Sequence, residues 1–359
     1  MSVGPSSRNR KWVFLSMVAG IAVLVLYLYF SVPMSQLAER FREINLFYYM
    51  LGFAAVLMSF LCFSLAWNSL LSGLSLKVSA WKTFLFSWVG MFVDQIVPGA
   101  VSGDLFKAYL ISRDLGFDTG STVASVVVQK LFAVAVMLAT LIAGMTLLTL
   151  DYGFRVEFLA LSVISVSLLV ALFVLFVYIS VKPNATEKIV RWIGRAISLF
   201  RGKNWNKAGF EESAQRSLNA FHQGVQSIRK NRRALIKAAI FSLMASVFDV
   251  FVVVLVFSSL NFPVPLDKAL IVYSLTVSLQ ASGVSFIGFA EFLMLNLYTV
   301  LRVPITYSGA AVILIGFATT FFKLSIAFVS FQCVVLNRCV CSVCNKVSFN
   351  RNEKMIQPR

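Results

Sequence analysis

The residues with chemistry to offer are few, and most sit where an apolar chain breaks. The first break reads Asp94-Gln95-Ile96-Val97-Pro98-Gly99-Ala100-Val101-Ser102-Gly103-Asp104-Leu105-Phe106-Lys107. Two carboxylates and an amine flank Pro98, Gly99 and Gly103 there. A second break runs from Gln280 to Glu291 and carries Gly283 and Gly288. An acid at the start of the helix after such a break caps it and complements its dipole. The alternative is a binding site: free backbone N–H groups and Lys107 receive a phosphate, while Asp104 and Glu291 take a cation, a proton or a headgroup amine. Three more charges, Lys130, Asp249 and Lys323, lie inside apolar runs. A charge in mid-membrane costs roughly 2.5–3.5 kcal/mol even on the lenient insertion scale, so each should face inward and find a partner. Lys130 or Lys323 is expected to pair with Asp249. The pair is either structural or part of a cationic lining for an anionic headgroup.

Composition sets the medium. Of 359 residues, 59% are hydrophobic and 13% charged, against about 45–50% and 25% in soluble domains. Long apolar runs recur without the alternation of a barrel, which predicts an all-α polytopic membrane protein. The formal net charge of +17 fits Lys and Arg gathered in cytoplasmic loops beside anionic lipid rather than nucleic acid, whose recognition signatures are lacking. The single histidine, His222, excludes a two-histidine zinc motif and a Ser-His-Asp triad, and no Walker loop is present. Neither a metal nor a cofactor is expected. The Cys339-Val340-Cys341-Ser342-Val343-Cys344 run, with Cys333, reads as reduced juxtamembrane cysteines rather than a zinc site.

The chain divides as follows. Arg8, Arg10 and Lys11 precede an uncleaved first span at 12–30. Further spans are predicted at 46–73, 119–149, 158–181, 236–260 and 305–336. Segments 81–97 and 268–280 run into the two breaks and return. Between Lys182 and Lys237 lies a basic stretch expected to hold interfacial amphipathic helices, with Ile189, Trp192, Ile193, Ile197 and Phe200 at helical spacing. The tail, 337–359, is basic. Placing every Lys/Arg-rich loop and both termini in the cytoplasm requires 81–113 and 268–303 to be re-entrant hairpins. Six full spans and two hairpins then form an inverted repeat, 46–149 and 236–336. Gly-broken segments at matching places in two such halves point to a transporter's substrate site. Eight full spans is the alternative.

With these residues assembled, the chain resembles the transmembrane region of bacterial lysylphosphatidylglycerol synthases and the stand-alone flippase-like membrane proteins that share it. Pro98, Gly99, Gly103 and Asp104 stand in the places of that family's Asn-x-x-x-Pro-Gly-x-x-Gly-Glu-like break, with Asp94 at the Asn and Asp104 at the Glu. Lys130 matches a basic residue in the following helix, and Gly283, Gly288 and Glu291 match the second motif without its usual Pro. Lys323 lies in the last helix, where the family often has Arg. The resemblance implies movement of lipids between leaflets of the cell (cytoplasmic) membrane, without the soluble synthase domain. The expected partner is a membrane lipid with an anionic or zwitterionic headgroup, and a homo-oligomer is compatible with the sequence. The alternatives are a lipid-linked glycosyl or aminoacyl transferase using Asp94 or Asp104 as base, and a non-transporting accessory subunit.

Overall fold

The computed structural model describes residues 34–96, 102–152, 156–181, 207–281 and 288–334. All regular structure among them is helical. In chain order the helices are α1 (Met34–Arg42), α2 (Leu46–Gly73), α3 (Ala80–Ile96), α4 (Ser102–Leu115), α5 (Thr119–Tyr152), α6 (Val156–Val181), α7 (Lys207–Lys230), α8 (Arg232–Ser259), α9 (Leu266–Ala281), α10 (Phe289–Val300) and α11 (Ile305–Val334). Among the described residues, five segments are long and apolar enough to cross a membrane: Leu46–Gly73, Thr119–Leu147, Ser162–Ser180, Arg232–Ser259 and Ile305–Val334. The chain is thus an all-α, multi-pass membrane protein. The predicted span at 12–30, the amphipathic pattern at 189–200 and the cysteine cluster at 339–344 lie outside the described residues.

Length separates four further helices from the spans. Helices α3, α4, α9 and α10 have 17, 14, 16 and 12 residues. At 1.5 Å per residue the longest reaches about 26 Å, short of the roughly 30 Å hydrocarbon core. They pair instead. Lys82, at the start of α3, forms an ion pair with Asp114 at the end of α4. Asp94, near the end of α3, binds Ser102 and Gly103 at the start of α4. These contacts make α3 and α4 antiparallel. Likewise the Lys268 ammonium, in the first turn of α9, donates to the Leu301 carbonyl just past α10 at 2.9 Å.

The first hairpin closes tightly because both helices present glycine. A Cβ on Gly103 would collide with the Gly90 carbonyl and come within 2.7 Å of Asp94 Cγ. A Cβ on Gly90 would sit 2.8 Å from the Gly103 carbonyl oxygen. Backbones approach this closely in membranes where small residues face each other.

Helices α2 and α8 form the central pair and run antiparallel. The Asn45 N–H donates to the Ser259 carbonyl at 2.7 Å, the Ser59 hydroxyl donates to Asp249 at 2.7 Å, and Gly73 faces Ala234. The same punctuation surrounds both. An asparagine caps each helix, Asn45 through the Phe47 N–H and Asn231 through the Ala234 N–H. Each helix ends in a left-handed residue, Ser75 (φ 60°) and Asn261 (φ 54°). Six-residue backbone bonds close those turns, from Leu76 N–H to the Leu71 carbonyl and from Phe262 N–H to the Phe257 carbonyl. After the hairpins, Gly116 (φ 70°) and Arg302 (φ 60°) repeat the device, with Phe117 bonded to Ser112 and Val303 to Tyr298. Asn45 to Asn231, Ser75 to Asn261 and Gly116 to Arg302 all span the same interval.

The basic segment contributes α7, which lies against the start of α5. A Cβ on Gly120 would strike the Ser217 carbonyl, and one on Gly224 would touch Ala124 at 3.0 Å. Leu218, Phe221 and Ile228 are the buried side of α7. The outer face of α6 exposes Val163, Ile164, Leu168, Val174 and Leu175, an apolar surface suited to lipid.

The glycine contact gives a direct test. Gly103→Val should destabilise the purified protein by about 1–3 kcal/mol through overpacking, read as a lower midpoint of unfolding in detergent. Gly116→Asn, at a left-handed position with open space beside it, should shift the midpoint far less. Equal midpoints for Gly103→Val and the unaltered protein would contradict the close α3–α4 packing.

Candidate functional site

Side chains from α2, α3, α4, α8 and α11 line a cavity of about 260 Å³. Five charged residues reach it: Asp94, Asp104, Lys107, Asp249 and Lys323. Ser59, Phe60, Phe63, Ser87, Met91 and Ala245 complete the wall. The cavity lies at mid-length of the central pair. Ser59 is the fourteenth of the 28 residues of α2, so roughly 20 Å of helix extends on either side of it.

Asp104 is the hub. Its Oδ1 is 2.6 Å from the Lys107 ammonium and its Oδ2 is 2.6 Å from the Lys130 ammonium. The carboxylate is 5% exposed and Lys107 is 1% exposed. Lys107 also donates to Gln129 Oε1 at 3.0 Å and lies 4.8 and 4.7 Å from the ring centroids of Phe63 and Trp67. An ammonium has three N–H donors; here two meet oxygen and the rest of the charge lies over aromatic faces. Gln129 is fixed in turn, since its Nε2 donates to the Phe63 carbonyl at 2.9 Å. Lys130 is the less buried of the two lysines, with 31% of its side chain exposed.

Asp94 has another task. Its Oδ1 accepts from the Ser102 hydroxyl at 3.0 Å and the Gly103 N–H at 2.5 Å. The carboxylate on α3 therefore caps α4 from across the hairpin, and the Gly103 N–H is committed to it. Pro98 and Gly99 lie outside the described residues.

Asp249 makes a second, looser cluster. It accepts from Ser59 at 2.7 Å and from the Tyr273 hydroxyl at 3.3 Å, while Lys323 stands 4.0 Å away. That separation exceeds a hydrogen bond. Lys323 follows a π-helical turn, Phe317–Phe321. Such a turn inserts one residue and so rotates the rest of the helix by about 100°. The expected partnership of Asp249 with a lysine thus falls to Lys323, and Lys130 goes to Asp104.

Glu291 and Gly288 stand apart from the cavity. Gly288 adopts φ 94° and its N–H donates to Glu291 Oε2 at 3.0 Å, so this acid caps its own helix α10. Glu291 also faces Gly316 of α11, where an added Cβ would sit 3.4 Å from the carboxylate oxygen. Among the described residues no three His, Cys, Asp or Glu side chains converge as a metal site would require.

Five participants were not singled out in the sequence: Ser59, Phe63, Trp67, Gln129 and Tyr273. Gln129 left a trace, as a second polar residue beside Lys130 within an apolar run. Ser59 left none, because serines elsewhere in these helices bond their own backbone, as Ser69 does to Leu65.

The family described as Lysylphosphatidylglycerol synthase TM region matches residues 17–327. A UPF0104 membrane protein of Methanocaldococcus jannaschii is 25% identical over 279 residues, covering 74% of this chain and 79% of its own length. Two UPF0104 membrane proteins of Methanothermobacter thermautotrophicus are similar too. One is 22% identical over 312 residues, 84% of this chain and 88% of its own. The other is 21% identical over 243 residues, 67% and 71%. No solved structure matches at a comparable level.

The hub predicts an asymmetry between single and double variants. Asp104→Asn strands the buried Lys107 charge and should cost roughly 3–5 kcal/mol, as breaking one side of a buried pair does. Adding Lys107→Met removes the stranded charge and should restore most of that loss. Unfolding midpoints in detergent report both; an additive double variant would mean that the two groups do not depend on each other.

Proposed function

The chain belongs to the lysylphosphatidylglycerol synthase TM region family, and from that premise we propose that it is a flippase-like lipid transporter. It moves a phospholipid or a polyprenyl-phosphate-linked lipid between the leaflets of the cytoplasmic membrane. The observation that carries this reading is the cavity. Ionic side chains from both halves of the chain meet halfway along the central pair of spans, where a resting structure gains least from charge. A lipid headgroup crossing the hydrocarbon needs a polar site at that depth.

Architecture supports the same reading. The hairpins α3–α4 and α9–α10 are re-entrant, and the two halves form an inverted-topology repeat with the substrate at their interface. The antiparallel α2–α8 pair and the matched end caps on both sides support it. The roles of the charges follow from their partners. Lys107 and Lys130 hold Asp104, and Asp94 holds the tip of the first hairpin. Lys323, with Asp249 at 4.0 Å, has the loosest partnership in the cavity and receives the lipid phosphate. The cavity volume suits a headgroup, while the acyl chains remain in the membrane.

Reconstituted vesicles test this. Wild-type protein should accelerate dithionite bleaching of headgroup-accessible fluorescent phospholipid beyond the half exposed at the start. Lys323→Gln should slow that exchange at least about tenfold, the loss of a charge-assisted hydrogen bond. Exchange at the full wild-type rate in a folded Lys323→Gln protein would remove Lys323 from the site.

A further inference from the structure

We propose that the cavity selects a zwitterionic headgroup, one carrying a phosphate and a primary amine, over a headgroup of net charge. This rests on the transport reading above and adds the substrate class to it. Three acids, Asp94, Asp104 and Asp249, and two lysines, Lys107 and Lys323, line the cavity, and a third lysine, Lys130, is paired with Asp104 behind that lining. Their formal charges cancel. A site that is neutral when empty and lies in an apolar bundle stays neutral only if its ligand is neutral overall. A headgroup of net charge would leave one charge uncompensated halfway along the bundle, which is costly.

The arrangement of the two poles agrees. Asp104 is saturated by two ammonium groups at 2.6 Å each, so neither it nor Lys107 is free to exchange partners. Asp249 and Lys323 are 4.0 Å apart, oppositely charged and not hydrogen-bonded to each other. A zwitterion fits between them in the complementary sense. Its phosphate replaces Asp249 as the partner of Lys323, and its ammonium replaces Lys323 as the partner of Asp249. Ser59 and Tyr273 already donate to Asp249 and hold the carboxylate in place. Each charge released from the resting pair is met by one on the ligand, so the exchange needs no net transfer of charge into the bundle.

The test compares headgroups on one acyl backbone in proteoliposomes at constant host lipid. Fluorescent acyl-labelled phosphatidylethanolamine should exchange at least roughly tenfold faster than phosphatidylglycerol or phosphatidic acid. Asp249→Asn leaves the site with one excess positive charge and should invert the order, favouring phosphatidylglycerol. Where that variant fails to fold, the wild-type ratio alone decides. Equal rates for all three lipids, or faster phosphatidylglycerol in the wild type, would overturn the zwitterion inference and leave lipid transport standing. Exchange of none of them would overturn both. Uptake of radiolabelled free glycerophosphoethanolamine, a phosphodiester whose single negative charge its ammonium balances, without lipid exchange would support the zwitterion chemistry and overturn the lipid as its carrier.

Discussion

A carboxylate shared by two lysines in the middle of an apolar helix bundle is the interaction on which this structure depends. Asp104 cannot be stable there alone, and neither can Lys107, which is all but sealed from solvent. Their mutual pairing is effective only because α4 lies almost in contact with α3, through Gly90 and Gly103, and because Asp94 caps the start of α4. Gln129 and the rings of Phe63 and Trp67 then take up the rest of the Lys107 charge. Glycine packing, helix capping and charge neutralisation are one arrangement seen at three scales.

The second half of the chain supplies what the first lacks. Because α2 and α8 run antiparallel through mid-length contact, Asp249 arrives opposite Ser59, and α11 brings Lys323 beside it. The two halves match in punctuation but not in chemistry. At the interval that relates their caps, Asp94 corresponds to Gln280, Lys107 to Leu293 and Lys130 to Gly316. The charged hub therefore belongs to one half only. The other half keeps a self-capped helix start at Gly288 and Glu291 and lends a looser ion pair. A tight cluster that organises the hairpin and a loose one that can change partners are thereby divided between the halves.

Much of this was legible in the sequence, for physical reasons. Apolar run length gave the spans: 46–73 as read is α2 as found, 119–149 differs from α5 by three residues at its end, and the described part of 305–336 is α11. Charge position marked a cluster, since Asp94, Asp104, Lys107, Asp249 and Lys323 do converge, and Lys130 reaches them through Asp104. What the sequence withheld was pairing. Lys130 and Lys323 both stood in mid-helix, and only the π turn before Lys323 and the proximity of α5 to α4 decide which acid each one meets. Glu291 and Asp94 looked alike as acids beside breaks, yet both turn out to cap helices, one its own and one its neighbour. Neutral participants such as Ser59 and Tyr273 carry no mark in composition, because their role exists only once α2, α8 and α9 are packed.

The centre of the bundle is either a wet, ligand-receiving site or a sealed knot of ion pairs. A single cysteine at Ser59, in a chain whose native cysteines are replaced by alanine, measures this most directly. Ser59 lies halfway along a membrane-crossing helix and on the cavity wall. The account predicts that a small membrane-impermeant thiosulfonate modifies this cysteine in proteoliposomes, and that phosphatidylethanolamine in the host membrane slows the modification. No reaction, under conditions that label a cysteine on the exposed face of α7, would contradict it and leave the charges a structural ion-pair network alone.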